Sequence, residues 1–261
     1  MAYYEKGAGE VTCVFSSGWA VPFPFSDMFE IADALSTKCR CIVFDRFGYG
    51  FSDDSTEKRD FPAITQETKA LCDALQLSKT LVLVGHSLST FHALDFAKRF
   101  PSMVKGIVLI DGYFFNGGIG RLLFYFNWVP AYCFLLLRKT GLLKKMDERT
   151  LKKALFGDRK IPNDIAKTAV AITRKRLFNK TVRRELTCAI RDLKRLKNGL
   201  EELKDIPVTA IARDVSYKSI RKLGEAMPDF TLVNVGKSSH FIHYEHNSFV
   251  VAQIERLCTI P

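Results

Sequence analysis

Leu81-Val82-Leu83-Val84-Gly85-His86-Ser87-Leu88-Ser89-Thr90 is the stretch from which the rest of the chain can be read. Four consecutive apolar, β-favouring residues suit a strand buried on both faces of a parallel sheet. The next ten residues, 91–100, place Phe91, Leu94, Phe96 and Ala97 among polar neighbours in a helical pattern. Between strand and helix stands G-x-S-x-small, a tight turn that lifts the hydroxyl of Ser87 clear of the sheet. The small residues on either side let helix and strand approach closely.

Working outward, three more apolar runs flank this one: Val11-Thr12-Cys13-Val14-Phe15, Cys41-Ile42-Val43-Phe44 and Gly106-Ile107-Val108-Leu109-Ile110. Residues 27–35 and 64–75 carry apolar side chains at three and four spacing between them, so the first 112 residues read as repeated βα units. Such units build a mostly parallel sheet with helices on both faces. Residues 113–205 break the alternation and read as helical throughout. Their first part, 122–137, is apolar but contains Asn127 and Pro130 and is shorter than the roughly 20 residues a membrane-spanning helix needs. The last part, 181–204, sets Val182, Leu186, Ile190, Leu193, Leu196, Leu200 and Leu203 on one stripe, with Arg and Lys elsewhere, as a basic amphipathic helix. After Pro207 the β pattern resumes at 208–212, followed by a helix over 216–227, a strand over 231–235 and a last helix over 248–257. This divides the chain into a core of 1–112 and 206–261 with an inserted helical cap of 113–205.

Composition narrows the classes. With 261 residues, 47% of them hydrophobic, the chain can bury a core, which excludes intrinsic disorder. Seven cysteines without a C-x-x-C pair, behind a start that lacks a signal-peptide core, point to free thiols in a cytoplasmic setting. The net charge of +11 brings no nucleic-acid motif with it, and we assign no nucleic-acid partner. A basic face on an amphipathic helix is ordinarily solvated surface; weak contact with an anionic membrane through the cap stays open. Oligomeric state is not encoded in any feature of the sequence.

A serine hydroxyl becomes a useful nucleophile only when a base takes its proton and a third group fixes that base. Gly236-Lys237-Ser238-Ser239-His240 follows the last strand directly and puts His240 at a strand's carboxyl end, where sites form in open α/β sheets. His240, His243, His246 and Glu245 match no common zinc spacing. His86 and His92, beside and behind the elbow, read as structural.

Together with Ser16-Ser17-Gly18-Trp19 after the first strong strand and Asp45-Arg46-Phe47-Gly48-Tyr49-Gly50-Phe51-Ser52-Asp53 after the next, these pieces resemble the α/β-hydrolase superfamily over nearly the whole chain outside the cap. The resemblance implies an α/β-hydrolase fold, a mostly parallel central sheet flanked by helices with an inserted helical cap. It also implies a nucleophile at Ser87, a general base at His240, and an oxyanion hole from the backbone N–H groups of Leu88 and Trp19, without metal or organic cofactor. Members often carry the acid in a G-D-x-D loop after the strand that here is 208–212. This chain has Ala212-Arg213-Asp214-Val215-Ser216, with Asp214 at the first acidic position and Ser216 where the usual Asp stands. Other members place the acid after the strand that follows the elbow, where this chain has Asp111. We favour Asp111 and keep Asp214 as the alternative.

Two further departures are Ser17-Gly18 for the common His-Gly and Ser89 for the elbow's last glycine. Residues 1–10 leave room for at most a short extra edge strand. The implied activity is serine hydrolysis of a small-to-medium apolar ester through an acyl-enzyme, with an apolar pocket suggested by the aromatic residues at 113–115 and 122–128. The alternatives are a cofactor-free acyltransferase, amide, thioester or C–C hydrolysis, and a ligand-binding regulatory protein that retains the fold with little turnover.

Overall fold

The computed structural model describes residues 1–77, 80–112, 128–196 and 198–260. Among the described residues, seven strands form one sheet: β1 (Tyr3–Lys6), β2 (Thr12–Ser16), β3 (Arg40–Phe44), β4 (Leu81–His86), β5 (Val104–Ile110), β6 (Val208–Ala212) and β7 (Phe230–Asn234). Their order is β1-β3-β2-β4-β5-β6-β7. Only β1 runs antiparallel, pairing with β3, so residues 1–10 do supply one short edge strand. All other pairs are parallel.

Because side chains alternate along a strand, each buried strand serves two cores. Val14, Ile42, Leu81, Leu83, Ile107, Leu109, Val208 and Ala210 face one layer of helices. Cys13, Phe15, Cys41, Val43, Val82, Val84, Val108 and Ile110 face the other. The uninterrupted apolar runs of the sequence are these strands, covered on both sides. The first face carries α2 (Phe61–Ala74) and α3 (Ser89–Arg99); the second carries α1 (Pro24–Leu35) and the C-terminal helix named below. Proline in the first turn starts both α1 and α2, and Asp60 caps α2 by accepting from the Ala63 amide at 3.1 Å.

Between β5 and β6 the described residues form α4 (Trp128–Lys139), α5 (Leu142–Lys145), α6 (Glu148–Phe156), α7 (Asn163–Arg176) and α8 (Lys180–Leu196). The expected single amphipathic helix over 181–204 is broken: Gly199 takes a left-handed backbone (φ +87°), and a 3-10 turn, Leu200–Leu203, follows. The stripe survives the break. Ala189, Leu193, Leu196, Leu200 and Leu203 enter the same core cluster as α2 and α3, whereas Leu143, Leu151, Val170, Leu177 and Phe178 form a separate cluster. The aromatic residues expected to line a pocket at 113–115 and 122–126 lie outside the described residues. Among the described residues no helix is long and apolar enough to cross a membrane.

The chain then closes with α9 (Asp214–Gly224), α10 (Ile242–Glu245) and α11 (Asn247–Thr259). The helix expected to begin at Ser216 begins at Asp214 instead, directly off the end of β6.

Candidate active site

The chain leaves β2 for β3 on one side and returns through α2 to β4 on the other. The loops after β2 and β4 therefore diverge and open a crevice at the carboxyl ends of these two strands. Ser87 stands at that point. Its backbone is left-handed (φ +55°), its amide donates to the Ile110 carbonyl at 2.9 Å, and the Thr90 hydroxyl donates to its carbonyl at 2.7 Å. Gly85 is required beneath it: a Cβ there would lie 2.6 Å from the Ser89 carbonyl oxygen. A non-glycine residue held at positive φ is strained, and the bonds around Ser87 hold it there.

His240 reaches Ser87 from the loop after β7, with Nε2 2.8 Å from the Ser87 Oγ. Its Nδ1 lies 2.6 Å from the Asp111 Oδ2. Asp111 directly follows β5, also at positive φ (+44°), and is fully buried. Three donors converge on its carboxylate: His240, Arg213 Nε at 2.7 Å, and the Ser216 hydroxyl in a short contact. Burial pushes its pKa up, but these hydrogen bonds outweigh it and hold Asp111 below the usual carboxylate value. His240 is shifted down as well, first by burial and then by the nearby His86 and Arg213, against the pull of Asp111. A neutral imidazole at neutral pH is the form that can accept a proton.

Asp214 is not brought to this group. It is the exposed first residue of α9 and accepts from Asn234 Nδ2 at 3.0 Å. The position that held a serine where an acid was expected, Ser216, is instead one of the donors on Asp111.

Opposite Ser87 lies the loop after β2. A Cβ on Gly18 would fall 3.1 Å from the Ser87 Cβ, so the loop's close approach depends on this glycine. Arg46, buried just after β3, holds the loop from below. Its Nη1 donates to the Ser17 carbonyl at 2.8 Å and the Ser89 hydroxyl at 2.8 Å, and its Nη2 to the Gly18 carbonyl at 3.3 Å. In a trans peptide the C=O and N–H point in opposite directions. Anchoring the Gly18 carbonyl on Arg46 therefore turns the Trp19 N–H away from it. Leu88, next after Ser87, precedes α3 and contributes one of the amides left unpaired at a helix start. Ser89 is buried within this network, which is why a serine fits where glycine is common.

Two sets of contacts escaped the sequence reading. Glu185 of α8 is fully buried and accepts from Arg46 Nη2 at 3.0 Å. Its signal was an acid one turn after Val182, inside the apolar stripe. The second set is a buried group around Asp27 of α1. His243 Nε2 donates to Asp27 at 3.0 Å, Tyr244 donates through its hydroxyl, and His86 Nδ1 lies 3.5 Å away. His86 Nε2 donates to the His240 carbonyl at 3.0 Å, which ties the His240 loop to this group. Only an acid on the otherwise apolar face of α1 hinted at it.

Trp19 is pinned from the other side. Its indole Nε1 donates to the Val182 carbonyl at 2.8 Å, and its ring packs on Phe178 at 5.3 Å between centroids. The basic residues of α7 and α8 are partly spent on the core. Arg176 and Arg184 donate to backbone carbonyls of residues 50–56.

The chain is similar to known proteins. A model of the alpha/beta hydrolase family matches residues 7–253, and the chain belongs to that family. Among curated proteins it is similar to YbdG, an uncharacterized protein of Bacillus subtilis, with 30% identity over 42% of this chain and 34% of that one. It is also similar to a (lyso)-N-acylphosphatidylethanolamine lipase of Bos taurus, with 32% identity over 30% of this chain and 24% of that one. The matched stretches thus span about a third or less of those relatives. Among solved structures, the epoxide hydrolase CorEH superimposes with a TM-score of 0.75, covering 98% of this chain and 93% of that one at 18% identity, a likeness of fold.

Proposed function

We propose that the protein is a serine hydrolase that cleaves small-to-medium apolar esters. The observation that carries this reading is the continuous chain of contacts from Ser87 Oγ through His240, at 2.8 Å and 2.6 Å, to a buried Asp111. In the proposed reaction the Ser87 oxygen attacks the ester carbonyl while its proton passes to His240 Nε2. Asp111 holds the imidazole by its Nδ1–H and stabilises the cation that forms. The N–H groups of Leu88 and Trp19 receive the developing oxyanion. Collapse breaks the C–O bond and His240 gives the proton to the leaving alcohol; water, deprotonated by the same histidine, then attacks the acyl-enzyme, and the acid leaves as His240 returns the proton to the Ser87 oxygen. The helices between β5 and β6 act as the cap. An apolar acyl group is supported by the Leu143, Leu151, Val170, Leu177 and Phe178 cluster, which packs against Trp19, and by the similarity to a protein named as a lipase.

A fluorophosphonate probe tests the reading. Covalent labelling of the folded protein that disappears in Ser87→Ala, together with turnover of p-nitrophenyl esters that varies with acyl length, is expected. Folded protein that takes up no label would instead favour a ligand-binding role for the same fold.

A further inference from the structure

Four of the seven cysteines gather at the amino-terminal ends of β2 and β3, the ends away from Ser87. Cys13 is the second residue of β2, and Cys41 is its partner in the parallel β2–β3 register. Cys39 ends the turn from α1 into β3, its amide bonded to the Leu35 carbonyl at 2.9 Å. Cys258 belongs to the last turn of α11. All are free thiols. The Sγ atoms of Cys13 and Cys258 are 3.6 Å apart, and those of Cys13, Cys39 and Cys258 all lie within 4.8 Å of one another.

Buried cysteines ordinarily act as small apolar side chains, and one or two here would call for nothing more. Three that converge from a strand, a turn and a distant helix define a geometry. With metal–sulfur bonds of about 2.3 Å, thiolates on one ion stand about 3.8 Å apart in a tetrahedron and about 4.0 Å apart in a trigonal plane. The Cys13–Cys258 separation of 3.6 Å is close to both values and the other two are no more than 4.8 Å, so small side-chain rotations bring the sulfurs to a common centre. Cys13 and Cys39 close the site from the protein side, while the half-buried Cys258 leaves it open towards solvent. Cys41 directs its thiol to the Cys39 carbonyl at 3.8 Å and stays outside the set.

We propose that Cys13, Cys39 and Cys258 form a binding site for a soft, thiophilic d10 cation, Zn(II) or Cu(I), that fastens α11 to the start of β2 and β3. Thiolate ligands select such ions over the hard Mg(II) and Ca(II). Each cysteine loses its proton to solvent as its sulfur–metal bond forms, and no redox step is involved. The open side takes a water or a small thiol as further ligand. The site is independent of the proposed ester chemistry.

Cadmium is a suitable probe because its thiolate complexes absorb in the ultraviolet. Protein reduced with a phosphine and stripped by a chelator would be titrated with Cd(II), then with Zn(II) in competition. The expected result is a charge-transfer band that saturates at one equivalent, is displaced by Zn(II), and persists in Cys72→Ala and Cys133→Ala. In Cys258→Ala and in Cys39→Ala the affinity falls at least tenfold, while circular dichroism and fluorophosphonate labelling stay as in the parent. Cys258 is only half-buried, so its variant reports on binding even if Cys39→Ala folds poorly. No saturable band, or an equal band in Cys258→Ala, overturns the proposal.

Discussion

The ends of β5 and β6 lie side by side, and each delivers an aspartate to the same edge of the sheet with opposite results. After β5 the chain turns sharply at Asp111, whose left-handed backbone buries the carboxylate against His240. After β6 it runs straight into α9, so Asp214 becomes an exposed helix-start residue facing Asn234. What β6 contributes instead is Arg213 and Ser216, both bonded to Asp111. An acid buried among three donors keeps its charge, and the β6 end has become the support for the β5 acid. Asp45, after β3, is a third case. It is equally buried but receives one hydrogen bond at its carboxylate, from the Phe51 amide at 3.0 Å. There burial dominates, and the pKa rises to about 6. Asp111 and Asp45 are equally deep, and donors rather than depth set them apart.

The largest test of the comparison exchanges charge for isostere at the first two. Asp111→Asn should lower kcat/KM for ester hydrolysis by about ten thousandfold, the scale seen when a triad acid is neutralised. Asp214→Asn should stay within a few-fold of the parent. Equal losses, or a larger loss at Asp214, would break the contrast between the two strand ends.

Removing the supports should cost less. A hydrogen bond to a charged group is worth about 1.5–3 kcal/mol, so Ser216→Ala and Arg213→Gln should each lower kcat/KM by roughly ten- to a hundredfold if most of that energy serves His240. The same changes made in Asp111→Asn should add little, because residues that act as a unit are not additive. Full additivity would show that Ser216 and Arg213 work through something other than Asp111.

The pH profile sharpens the point. His240 must be neutral to accept the serine proton, so activity falls as pH drops through its pKa. Burial, then His86 and Arg213, put that limb below the ordinary histidine value of about 6.5. Arg213 contributes a positive charge beside the imidazole, so Arg213→Gln should move the acid limb of kcat/KM upward, towards that value. A limb that stays in place would mean that Arg213 does not act on the imidazole.

Most of what positions this site was legible because it is local. A strand, a serine elbow and a histidine loop are contiguous stretches with characteristic residues, and the mostly parallel sheet follows from their βα alternation. The supports were not legible, because each joins positions far apart in the chain: Arg46 with Glu185, Asp27 with His86 and His243, Asp111 with Arg213 and Ser216. A lone acid in an apolar stripe shows that something will be paired, but only the fold shows with what. The acid itself stood between two strand ends of similar sequence. Its placement depends on a backbone turn at Asp111 that no residue type announces, since positive φ there is taken by an aspartate rather than a glycine.

The smallest expected effect belongs to Asp45, and it is one of stability. A carboxylate raised from 3.8 to about 6 is ionised in the folded protein at neutral pH at a cost. At 1.36 kcal/mol per unit the limit is about 3 kcal/mol, and roughly 1–2 kcal/mol is a reasonable expectation once Arg46 and Arg176 relax around the site. The folded form binds the Asp45 proton more tightly than the unfolded chain, so the contribution of this group is most favourable below the unfolded pKa near 3.9 and is lost as pH rises through about 6. Asp45→Asn retains an oxygen for the Phe51 amide and removes the charge. It should therefore raise the denaturant midpoint at pH 8, keep about half of that advantage at pH 5 and lose most of it by about pH 4. A variant destabilised at both pH values would mean that the Asp45 charge is compensated after all, and that counting donors does not suffice to separate Asp45 from Asp111.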